Sequence, residues 1–130
     1  MTLPRPTAHL TSRRALLQAQ LAAGVVAWAR EVLELTYPEI GSALAVNRRT
    51  VMRWAQSEHA PSLEHLSKLE ELSELRHLLE TVFPDPEACL EWLHSPVPAL
   101  RGRTPISFIR EGELEEVVGV LAGVEAGAFA

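Results

Sequence analysis

Apolar residues along this chain recur at three- and four-residue intervals, and nowhere do they alternate over a length that would make a strand. The pattern predicts an all-α fold. Leu17, Leu21, Val25, Trp28, Val32 and Leu35 form a first stripe, the buried edge of an amphipathic N-terminal helix. Two shorter helical segments come next. Thr36 with Glu39 three residues on makes a capping box, Pro38 is tolerated in the first turn, and Ile40 and Leu44 share one face. Ala45, Val46 and Asn47 make the turn, Asn47 caps the second short helix, and Val51 and Trp54 continue the buried stripe. Gly41 is small enough to let the second helix cross closely. Two short helices joined in this way read as a helix-turn-helix. Ala45 stands where glycine is usual; a positive φ costs a residue with a Cβ on the order of 1 kcal/mol, so a somewhat remodelled turn is expected.

From Ser62 onward, leucines at 63, 66, 69, 72, 75 and 78 step by three residues, falling behind the helical turn of about 3.6 and walking around the axis. Either this helix breaks midway, or its first half packs on the helix-turn-helix and its second half on the C-terminal lobe, making it the spine that joins them; the spine is the arrangement expected. Pro84 and Pro86 punctuate the chain before a short helix holding Leu90, Trp92 and Leu93, which Pro96 and Pro98 end. Thr104-Pro105 begins another that stops near Gly112. Leu114, Val117, Val118 and Leu121 mark a last amphipathic helix, expected to fray through glycines 119, 123 and 127 towards Phe129. The expected organisation is therefore an N-terminal helix and helix-turn-helix over residues 1–60, joined by the spine helix to a small helical C-terminal lobe over 61–130.

With 130 residues and 47% hydrophobic content, the chain suits one compact domain or two small lobes sharing a core. Its formal charge of −5 is unevenly spread. Residues 36–57 hold three arginines against one glutamate, whereas residues 58–100 set Lys68 and Arg76 against eight glutamates and Asp85. Arg48, Arg49, Thr50 and Arg53 fall on the outward side of the second short helix, near the end that reaches base edges in this motif, with Asn47 at its start. Arginine there binds guanine bidentately or clamps phosphates. Three arginines on a solvated face are also ordinary, and the acidic half is either such a face or a surface for a basic partner.

Other chemistries find little support. One cysteine, Cys89, excludes an intramolecular disulfide framework, fits a cytoplasmic setting and reads as a small buried hydrophobe. His59, His65, His77 and His94 lack a second thiolate at ligand spacing, so no metal is expected, and no cofactor loop or nucleophile–base pair suggests an enzyme. Ser12-Arg13-Arg14 ahead of an uncharged run ending Ala27-Trp28-Ala29 mimics a twin-arginine export signal. Gln18 and Gln20 interrupt that run and its apolar spacing is helical, so the packed helix is the better reading; the run is also too short and polar to span a bilayer.

The C-terminal half carries Glu91-Trp92-Leu93-His94-Ser95-Pro96, then Ala99-Leu100-Arg101-Gly102-Arg103-Thr104-Pro105-Ile106, then Arg110-Glu111-Gly112, and ends Glu125-Ala126-Gly127-Ala128-Phe129. This ordered set resembles the toxin-binding domain of MbcA/ParS/Xre-type antitoxins, whose members carry an Xre-like helix-turn-helix upstream. The resemblance covers roughly residues 36–130. It implies a homodimeric antitoxin that neutralises a RES-domain toxin with an ADP-ribosyltransferase-like fold and represses its own operon by binding operator DNA; the toxin, not this chain, would consume NAD. In such complexes the C-terminal lobe covers the toxin's cleft, and a basic side chain or the chain terminus takes the dinucleotide's place. The candidates are Arg101, Gly102, Arg103, Thr104 and Arg110, with the 123–130 tail and Phe129. For Arg101 and Arg103 the competing account is a solvated loop before a helix. A stand-alone regulator whose C-terminal lobe dimerises or senses a ligand is the alternative function, and a retained but silent helix-turn-helix is a third. Truncation after Gly119 is expected to abolish toxin neutralisation while sparing DNA binding.

Overall fold

The computed structural model describes residues 12–127. Phe129 and the rest of the last three residues lie outside that range. Seven α-helices and a short 3-10 turn make up the described chain: α1 (Arg13–Glu31), α2 (Tyr37–Leu44), α3 (Arg48–Ala55), α4 (Leu63–Val82), α5 (Pro86–Leu93), the turn Pro98–Leu100, α6 (Pro105–Arg110) and α7 (Leu114–Glu125). Among the described residues, the extended pairing is a lone antiparallel bridge between Val97 and Arg103. The fold is all-α.

Side chains start most of these helices where the spacing expects. The Ser12 hydroxyl accepts from the Ala15 N–H at 3.0 Å, which opens α1. At α2 both halves of the capping box form: the Thr36 N–H donates to Glu39 Oε1 at 2.9 Å, and the Glu39 N–H to Thr36 Oγ1 at 3.2 Å. Asn47 Oδ1 accepts from the Thr50 N–H at 2.8 Å, and Asp85 and Thr104 cap α5 and α6 ahead of their first-turn prolines. The left-handed turn survives alanine: Ala45 sits at φ 59, ψ 40, and its N–H and that of Val46 bond back to Ser42 and Gly41 carbonyls. No remodelling is needed, because two satisfied hydrogen bonds offset a strain of about 1 kcal/mol.

Gly41 is the tightest point of the helix-turn-helix. A Cβ there would meet the Val46 backbone oxygen at 2.6 Å, an approach that no larger residue permits.

The N-terminal helix is buried through small residues more than through the anticipated stripe. Ala19, Ala22, Val25, Val26, Trp28 and Ala29 face inward, whereas Leu17 is 55% exposed. The helix ends at Glu31; a reversal with Glu34 at φ 56 then brings Leu33 and Leu35 into the core.

Helix α4 runs unbroken for 20 residues. Leu63 at its start is exposed, Leu66 is half-buried, and Leu69, Leu72, Leu75, Leu78 and Leu79 are buried. Helix α4 touches both parts of the molecule, with α7 packed along it most extensively and α1, α2 and α5 also on it. The expected division by halves does not hold: Lys68 in its first half reaches Gly112, and Arg76 in its second half lies over Trp28 of α1. Buried side chains from Ala22 to Leu121 belong to one continuous core that includes Trp54, Leu72, Phe108 and Val117. The last helix does not fray at its internal glycines; α7 continues through Gly119 and Gly123 to Glu125, held by buried Leu114, Val117, Val120 and Leu121.

Candidate functional site

Helix α3 divides its residues sharply. Val51 and Trp54 are buried, and Trp54 meets the His65 ring edge-on with centroids 5.8 Å apart, fixing α3 to the start of α4. Arg48, Arg49, Met52 and Arg53 are exposed on the opposite side, and Thr50 is half-buried. Among the described residues none of these three arginines makes an ion pair, so their guanidinium groups are available to an external anion. Asn47 and Thr50 are committed to capping through Oδ1 and the backbone N–H, respectively. Met52, 39% exposed at the position one turn after Arg48, belongs to the same face although its apolar character gave no such signal.

The C-terminal candidates occupy a different environment. After the turn Pro98–Leu100 the chain holds two successive left-handed residues, Arg101 (φ 59) and Gly102 (φ 78), which reverse it so that the Val97 N–H reaches the Arg103 carbonyl at 3.1 Å. Thr104 then caps α6, and Ser107 Oγ donates to the Thr104 carbonyl at 2.7 Å. Arg103 lies with its guanidinium carbon 4.4 Å from the Phe108 ring centroid, donates to Ser107 Oγ at 3.3 Å and pairs with Glu111. Arg101 approaches the same ring at 5.6 Å and, among the described residues, makes no ion pair. Together these two cations roof Phe108, which is fully buried.

Arg110, at the end of α6, pairs across to α2: its Nε is 3.2 Å from Glu39 Oε2. Glu39 is thus shared between the capping box and the C-terminal half. The Thr36 backbone N–H, assisted by the Thr36 hydroxyl and by Arg110, holds the Glu39 carboxyl below the usual carboxylate range against a smaller opposing effect of burial. A second tie lies two residues on. Gly112, at φ 78, is seated so that a Cβ would come within 3.2 Å of the Ala43 carbonyl and 3.3 Å of that of Ser42, and Lys68 Nζ donates to the Gly112 carbonyl at 3.3 Å. The turn between α6 and α7 is therefore clamped between the first helix of the helix-turn-helix and the spine. Sequence reasoning missed both contacts, which join residues about seventy positions apart.

Cys89 is buried, as anticipated; burial, with the nearby charge of Glu80, pushes its thiol up. No group of three or more potential metal ligands comes together among the described residues, and no helix there is long and apolar enough to cross a membrane.

A two-helix motif with a free arginine face, locked to a helical segment built around Phe108, defines a class that comparison with known proteins makes specific. Residues 78–127 match the family described as the antitoxin Xre/MbcA/ParS C-terminal toxin-binding domain. The chain belongs to this antitoxin family. Its relatives include the mycobacterial cidal antitoxin MbcA of Mycobacterium tuberculosis and of Mycobacterium bovis, each 32% identical over 107 residues that span 82% of this chain and 94% of the relative. The fold is also similar to a chain in the crystal structure of the M. tuberculosis MbcT–MbcA toxin–antitoxin complex, with a TM-score of 0.57 and 30% identity over 83% of this chain and 96% of that one.

Proposed function

We propose that this antitoxin neutralises a RES-domain, NAD-consuming toxin by seating its C-terminal half over the toxin's active-site cleft, and that it represses its own operon in the cytoplasm as a homodimer whose α3 helices read operator DNA. The observation that carries the first half is the match of residues 78–127 to a toxin-binding domain, on the segment where Arg101, Arg103 and Arg110 cluster. Function divides between residues 1–60, which meet DNA, and residues 61–130, which meet the toxin and dimerise.

Within the toxin-facing segment the three arginines are unequal. Arg103 would have to leave Glu111 and the Phe108 face, and Arg110 would have to leave Glu39, before either entered a cleft built for pyrophosphate. Arg101 gives up no ion pair, so its transfer to an electronegative cleft is opposed by desolvation and by the loss of a long 5.6 Å approach to the Phe108 ring. Gly102 leaves room beside it, and Thr104 fixes the loop from which it projects. Arg101 is the cation we assign to the toxin, with Phe129 and the chain end as further contacts.

The DNA-binding half is supported by the unpaired state of Arg48, Arg49 and Arg53 on one exposed face. Phosphate contacts there make operator affinity fall steeply with salt. Co-expression with the product of the neighbouring gene, following growth and cellular NAD, tests the whole reading. Rescue of both supports an antitoxin of this kind; a neighbour with no toxicity leaves a DNA-binding regulator as the better account.

A further inference from the structure

Where the C-terminal part of α1 meets the end of α4 and the start of α5, the surface opens into a groove of about 510 Å³. That volume lies within the range of about 300–1,000 Å³ usual for small-molecule sites. Its walls are Trp28, Leu79, Phe83 and Leu90, and Cys89 lies at its floor. The two ionisable side chains on its lining besides that thiol are carboxylates, Glu31 on α1 and Glu80 on α4. Among the described residues, no basic side chain lines it.

We propose that this groove binds a small hydrophobic cation, an arylalkylamine or its guanidine counterpart, with the aromatic body against Trp28 and Phe83 and the charged end between Glu31 and Glu80. Charge selects the sign: an anion would meet two carboxylates of which one, Glu80, is already paired with Arg76, whereas an ammonium gains the unshared Glu31, shares Glu80 with Arg76 and finds an aromatic face. The chain already shows this recognition at the rim. Arg76 holds its guanidinium carbon 5.9 Å from the Trp28 ring centroid and its Nε 3.5 Å from Glu80 Oε2, pairing a cation with one wall and one carboxylate of the groove. The charge of Glu80 also reaches the floor, where it contributes to the raised pKa of Cys89.

The extent of the groove argues for a compact ligand over a docked helix. Its lining takes Trp28 and Glu31 of α1 with Val32 just beyond it, and Leu79 and Glu80 of α4, about one turn of each, while a helix laid in a groove needs anchors over two turns or more. The walls are also preformed. Phe83 closes α4 with its N–H on the Leu79 carbonyl at 2.9 Å and packs against Trp92 with centroids 5.3 Å apart, and Pro84 and Pro86 stiffen the turn into the Asp85-capped α5. Little ordering entropy remains to oppose binding.

The test is a titration of the ¹⁵N-labelled full chain at pH 7 with 1-naphthylmethylamine, with the neutral 1-naphthylmethanol and the anionic 1-naphthoate as controls. The proposal expects saturable shifts at the Trp28 indole N–H and along residues 79–90 with the amine. It expects affinity about tenfold weaker for the alcohol and no measurable binding of the carboxylate. Both carboxylates are exposed at the rim, so Glu31→Gln with Glu80→Gln leaves the fold intact; it should lower amine affinity to that of the alcohol and leave the alcohol unchanged. Equal affinity for the three probes, absence of saturable shifts with the amine, shifts centred elsewhere, or an unchanged amine affinity in the double variant would each overturn it.

Discussion

Two sets of arginines sit on this small molecule in opposite states. Those of α3 are exposed and, among the described residues, unpaired, while three of the four in the C-terminal half are already spent on internal carboxylates, Arg76 on Glu80, Arg103 on Glu111 and Arg110 on Glu39. The contrast separates cations kept for a partner from cations that hold the fold. A guanidinium with an internal partner must break that bond before it meets an external one, whereas Arg48, Arg49 and Arg53 meet an anion at the cost of displaced water and counterions. Arg101 belongs with the α3 group although it lies in the other half.

Changes to the structural side of this contrast should have the largest effects. Trp54→Ala empties a fully buried site between α3 and α4 and should cost about 3–5 kcal/mol in chemical denaturation; a loss below about 1 kcal/mol would mean that α3 is not anchored there. Gly41→Ala drives a Cβ into the Val46 carbonyl, and Gly112→Ala combines a left-handed backbone with contact on the Ala43 carbonyl; each should cost roughly 1–3 kcal/mol, read from the same transition. Gly112→Ala should also weaken operator binding, since its clash is transmitted to α2 and not to the C-terminal surface.

On the partner-facing side, Arg48→Ala or Arg53→Ala should leave stability within about 0.5 kcal/mol while reducing operator affinity and flattening its salt dependence by about one unit of slope per lost phosphate contact. An unchanged slope would remove α3 from the DNA interface.

The smallest effect is the pH dependence of the shared carboxylate. Because the folded state holds the Glu39 pKa below its ordinary value of 4.5, its stabilisation is complete above that value and is lost as pH falls through the lowered one. Glu39→Gln should therefore destabilise at pH 7 by less than about 1 kcal/mol, given a side chain 37% exposed, and the gap to the parent should close in acid. A gap that persists at low pH would assign the loss to hydrogen-bond geometry and not to charge.

Much of this arrangement was legible in the chain because its causes are local. The Thr36–Glu39 box, the Asn47 cap, the close crossing at Gly41 and the walking leucines of α4 each depend on residues within a turn or two of one another. The misjudged features depend on what lies across the molecule. Leu17 has the right spacing but is exposed, and α7 survives Gly119 and Gly123 because α4 packs along it. The roof over Phe108, the Arg110–Glu39 pair and the seat of Gly112 join distant segments and leave no periodic trace. The same long-range packing spoils a simple truncation test. Cutting after Gly119 removes buried Val120 and Leu121, so lost function could not be told from lost folding.

Point substitutions on exposed residues avoid that difficulty, and the most direct measurement pairs growth rescue with operator affinity for Arg53→Ala and Arg101→Glu, both checked for native melting. Arg53→Ala should lose operator affinity and keep full rescue, whereas Arg101→Glu should keep operator affinity and lose rescue. If each folded variant instead lowers both activities together, the division between a DNA-facing and a toxin-facing arginine is wrong.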